Sequence, residues 1–99
     1  EDYAIAKVDA LRKLGYRATL IHVVLSEDEV VDGEERSHMV AIVEGKETST
    51  KFILDNRYAH PYKFSKDNPA WDMFIIYPWE FDIDAVINLR RKNKQKGSV

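Results

Sequence analysis

His38-Met39-Val40-Ala41-Ile42-Val43-Glu44, then Gly45, then Ser49-Thr50-Lys51-Phe52-Ile53-Leu54-Asp55 is the stretch whose reading decides the fold. Both halves are short and rich in β-branched and aromatic residues, and a glycine separates them, so they read as two strands of a hairpin. With residues 45–48 as the loop and Glu44 facing Ser49, Val40 faces Ile53 and His38 faces Asp55. Directly opposed residues on one antiparallel face have Cβ atoms about 4.5–5.5 Å apart. An aspartate at that distance accepts a hydrogen bond from one imidazole nitrogen, fixes the tautomer and leaves the other nitrogen as a base. The geometry depends on register, and a one-residue bulge would turn the two side chains to opposite faces. On spacing alone a structural histidine with a neighbouring aspartate is the commoner case.

Outward from the hairpin, residues 2–14 carry Ala4, Val8, Leu11 and Leu14 at helical spacing, with Lys7, Arg12 and Lys13 on the wet side. Glu1 and Asp2 suit the positive end of the helix dipole, and Gly15 is placed as a left-handed terminator. The period then changes, and Arg17–Leu25 reads as a mostly buried strand. Ser26–Ser37 holds six acids and Gly33 and reads as a surface loop. Asn56–Asp72 contains Pro61 and Pro69 and reads as irregular, Met73–Tyr77 as a fourth strand stopped by Pro78, and Phe81–Leu89 as a short helix. One N-terminal helix packed on an antiparallel meander is an α+β arrangement. The expected division is a domain over residues 1–89 and a basic, disordered tail over 90–99.

Charge and composition narrow the function classes. Arg90, Arg91, Lys92, Lys94 and Lys96 lie in the last ten positions, so the remainder of the chain carries a net charge of −7. An acidic body argues against a nucleic-acid surface, which needs clustered Lys and Arg on the folded face. The basic end reads as a solvated terminus; a nucleic-acid tether through residues 90–96 is the competing reading. No apolar run reaches the roughly 18 residues of a membrane span. The chain has no cysteine, which excludes disulfides, thiolate metal sites and an in-chain thiol nucleophile. Compartment and oligomeric state are left open. The opening Glu1-Asp2-Tyr3 lacks an initiator methionine, so a piece of a longer protein is expected.

Four segments carry a resemblance: Glu1-Asp2-Tyr3-Ala4-Ile5-Ala6-Lys7, Leu11 to Gly15, Ser37-His38-Met39-Val40, and Ile53-Leu54-Asp55-Asn56. In this order they resemble the bacterial transglutaminase-like cysteine peptidases, over roughly residues 1–57. The resemblance implies a truncated transglutaminase-like, papain-like core. It also implies a hydrolase acting on peptide or side-chain amide bonds of a protein substrate, periplasmic in part of the family. By it His38 is the general base, Asp55 its orienter, and the nucleophilic cysteine stands just before Glu1, outside this chain. Such a chain is inert by itself. The alternative is a non-catalytic binding module with the same fold. In one branch carboxylates flanking the cysteine bind calcium, and Glu1 matches one of them; helix-dipole acids are the simpler reading, and no cofactor is expected.

Of the remaining candidates, His22 lies mid-strand among apolar residues and His60 precedes Pro61, so zinc-type spacing is missing. Eight of the eleven aromatics follow residue 57. Most read as packing, while Tyr58, Trp71 or Trp79 are candidates to line a peptide cleft. Arg57 is read as a substrate contact or a partner of the acidic loop.

Overall fold

The computed structural model describes residues 2–30 and 35–97. It has two helices and a five-stranded antiparallel sheet, an α+β fold. The order along the chain is α1 (Asp2–Lys13), β1 (Arg17–Leu25), a 3-10 turn at Glu27–Glu29, β2 (Ser37–Glu44), β3 (Lys51–Leu54), β4 (Tyr62–Lys63), β5 (Trp71–Ile76) and α2 (Ile83–Gly97). Across the sheet the strands run β4-β3-β2-β1-β5. The two-residue β4 falls inside the segment expected to be irregular, and β5 begins at Trp71 rather than Met73. Glu1 and residues 31–34, which include Gly33 of the acidic loop, lie outside the described residues.

Alternation along the central strands divides the core in two. Ala18 and Leu20 of β1 and Ala41 and Val43 of β2 meet Ala4, Ile5 and Val8 of α1, together with Ile83 of α2. Both helices therefore cover the same side, and that side leaves Met73 and Ile75 of β5 exposed. The other side carries Ile21, Val23, Leu25, Val40, Ile42 and Ile53 under Trp71. Phe64 and Phe74 close over this second cluster, their rings edge-to-face at 5.3 Å.

Leu14, expected in the core, is 66% exposed because α1 ends one residue before it. Ile5, at the other end of the helix, is buried although the expected apolar spacing left it out. Arg12 is not simply on the wet side. Its guanidinium donates to the carbonyls of Ala18, Trp79 and Phe81, and the Thr19 hydroxyl donates to the carbonyl of Pro78. These bonds hold the 78–81 strap that leads from β5 into α2, and they satisfy carbonyls that no strand pairs. The helix begun by that strap is capped by Asp82, whose carboxylate accepts the Ala85 amide at 3.0 Å. It runs past the expected end at Leu89 to Gly97, so Arg90, Arg91 and Lys92 are helical rather than part of an unstructured tail.

Gly15 ends α1 with φ +90°, the left-handed backbone expected of it. An added Cβ would find its nearest neighbour, the Lys46 ammonium, at 3.9 Å, so the backbone and not space sets the cost. Gly15→Ala is expected to destabilise the chain by about 1–2 kcal/mol, read as a lowered urea midpoint with an unchanged slope.

Candidate active site

The hairpin register differs from the expected one. Glu44 pairs with Lys51, Ile42 with Ile53 and Ala41 with Leu54. Continuing that register sets Asp55 across from Val40, two residues from the expected partner His38. The reason is the loop: the Gly45 amide donates to the Thr50 carbonyl at 2.9 Å, and β3 starts only at Lys51, so residues 45–50 all lie between the strands. A shift of two residues preserves the face on which each side chain stands. His38 and Asp55 therefore still meet, as diagonal rather than direct neighbours.

His38 Nε2 lies 3.0 Å from Asp55 Oδ1. The Asp55 side chain is 1% exposed and that of His38 21% exposed. Asp55 has left β3, and the chain turns at once. Its Oδ1 accepts the Arg57 amide at 3.0 Å, and its carbonyl accepts the Tyr58 amide at 3.0 Å. This is an aspartate-stabilised turn, for which Asp-Asn is suited. The Arg57 side chain then folds back onto the same carboxylate, with Nη2 to Oδ2 at 2.9 Å and Nε to Oδ2 at 3.2 Å.

These contacts settle the protonation of the carboxylate. Burial opposes its ionisation, but hydrogen bonds from His38 and from the Arg57 side chain and amide outweigh burial. They hold the Asp55 carboxyl far below the usual carboxylate range. An ionised carboxylate only accepts, so His38 Nε2 carries the proton that it donates. In the neutral ring Nδ1 is then unprotonated and is the atom with base character. The Arg57 guanidinium is pushed further up by its bond to Asp55. Nearby Tyr62 is pushed up to about 12, first by burial and then by the Asp55 charge, and stays a neutral phenol.

Two clefts lie nearby, the smaller lined in part by Asp55 and the larger in part by Arg57. A small one of about 130 Å³ is lined by Tyr3 and Lys7 of α1 together with Asp55, Tyr58 and His60. The first turns of α1 and Asp55 thus share one end of the molecule. By alternation His38, which pairs with Val23, stands on the Val23–Val40 side of the sheet, whereas α1 lies on the other. The larger cleft, about 520 Å³, is walled by Arg57, Tyr58, His60, Tyr62 and Trp71. Two of the three aromatics singled out from the sequence, Tyr58 and Trp71, line it. Trp79 does not: it lies under the Arg17 guanidinium, 4.6 Å from ring centroid to charge.

Arg57 is where reading the sequence fell short. Its carboxylate partner is Asp55, two residues before it, a contact that depends on a tight turn that only the folded backbone shows. His22 is half-buried on the helix side, paired with Met39 and Ile75. Among the described residues no three His, Asp or Glu side chains are grouped to hold a metal ion, and no helix is long and apolar enough to cross a membrane. The calcium reading of Glu1 concerns a residue outside that description. Compared with family models, curated proteins and solved structures, the chain matches none.

Proposed function

We propose that this chain carries the base and the orienting carboxylate of a thiol hydrolase acting on peptide or side-chain amide bonds, its nucleophile a cysteine immediately preceding Glu1. The observation that carries the reading is the His38–Asp55 hydrogen bond, donated by a part-exposed imidazole to a buried carboxylate. Support also comes from the order of the motifs around Glu1, His38 and Asp55, which resembles that of the transglutaminase-like cysteine peptidases.

In this mechanism His38 Nδ1 takes the proton of the thiol, and Asp55 stabilises the imidazolium that results. A cysteine at the head of α1 also gains from the helix dipole, which favours the thiolate. The thiolate adds to the amide carbonyl. When the C–N bond breaks, the imidazolium returns its proton to the departing amine, leaving a thioester. Water, deprotonated by the same nitrogen, then releases the acid; an amine in place of water completes a transamidation.

The test is the residue encoded before Glu1. A cysteine there, alkylated by iodoacetamide at neutral pH about tenfold or more faster than in the His38→Ala variant, is the expected result. Serine, alanine or no residue at that position overturns the catalytic reading. One feature would then favour a non-catalytic binding module: the aromatic cleft at Tyr58, Tyr62 and Trp71 is formed without any thiol.

A further inference from the structure

We propose that Arg57 is a positioning residue of this site, holding the Asp55 carboxylate so that one oxygen stays turned toward His38 Nε2. Its importance for catalysis rests on the thiol reading above, but its action on His38 does not.

A carboxylate on a turn has freedom about its Cα–Cβ and Cβ–Cγ bonds, and a single contact to an imidazole leaves that freedom largely intact. Here both oxygens are committed. Oδ2 takes the Nε and Nη2 donors of Arg57 at 3.2 and 2.9 Å, and Oδ1 takes the same Nε at 3.3 Å and the Arg57 amide at 3.0 Å as well as His38. The planar fork fixes the plane of the carboxylate, as a point charge would not. Arg57 is itself steadied from outside, its guanidinium 5.3 Å from the Tyr58 ring centroid. The charged and titratable groups around the carboxylate are His38 from β2, Tyr62 from β4, Arg57 and Tyr58 from the turn, His60 after it, and Lys7 and Tyr3 from α1 across the small cleft. Of these only His38 and Arg57 bond to it.

The consequence reads out on the ring N–H of His38, which nuclear magnetic resonance follows as a hydrogen-bonded imidazole proton exchanging with solvent. Arg57→Gln is expected to speed that exchange about tenfold, the factor that matches loss of one positioned hydrogen bond. Arg57→Lys, which keeps the charge but offers no fork, is expected to fall between the two, and Asp55→Asn marks the fully released limit. A wild-type exchange rate in a folded Arg57→Gln chain overturns the proposal. So does a wild-type rate in folded Arg57→Lys, which carries the test alone if the glutamine variant does not fold. Because the readout needs no thiol, it separates the two ideas. A negative result removes the role of Arg57 and leaves the nucleophile question untouched, whereas a missing upstream cysteine leaves the exchange result standing.

Discussion

On the thiol reading proposed above, replacing His38 with alanine in a parent domain that carries a cysteine before Glu1 is expected to lower kcat by about 10²–10⁴-fold. The thiol then keeps only the helix dipole to favour its ionised form, and no group remains to protonate the departing amine. Stability should hardly change. Arg57 continues to satisfy Asp55 through its side chain and amide, so removing the His38 bond costs about 1 kcal/mol. The informative combination is lost turnover with a retained melting transition. Turnover within about tenfold of the unmodified domain would show that His38 is not the base.

The second large effect is on folding, and it belongs to Asp55. Asp55→Asn removes the charge that pairs with Arg57, whose side chain is 26% exposed, and it sets an amide NH₂ among hydrogen-bond donors. A loss of about 2–3 kcal/mol is expected, the range for a partly buried cation left without its partner. The sign of the pH dependence follows from the depressed ionisation of the native carboxyl. Folding contributes stability through this group while the unfolded carboxyl is also ionised, above about pH 4. As pH falls below that, the unfolded chain binds a proton that the native chain refuses, and the contribution drains away. Urea midpoints at pH 7 and pH 3 should thus lie far apart for the natural chain and closer together for Asp55→Asn. A variant within about 0.5 kcal/mol of the natural chain at pH 7 would mean that the turn, not the carboxylate, holds this corner of the fold.

His38 and Asp55 mark how far sequence reasoning reaches here. Their pairing survived a mistaken register because strands have a period of two. A loop longer by two residues slides one strand along the other but leaves every side chain on its face. The loop length itself was not legible, since Glu47, Thr48 and Ser49 carry no strong turn type, and their order comes from bonds such as the Thr50 amide to Thr48 Oγ1 at 3.3 Å. Leu14 failed for a similar reason. Helical spacing runs on past Lys13, but Gly15 ends the helix at a left-handed residue and turns that leucine outward.

Local patterns by themselves determined the α+β class, the extent of α1 and β1, the turn at Gly15, and a histidine and an aspartate close enough to interact. All of these depend on neighbours in the chain, through helical and strand periods and the freedom of one glycine. Tertiary structure alone decided that both helices share one side of the sheet and that Arg12 ties the strap of residues 78–81. It likewise placed Arg57 on Asp55 and His38 on the side of the sheet away from α1. These depend on which carbonyls and charges remain unsatisfied once the sheet has formed, and no spacing along the chain carries that information.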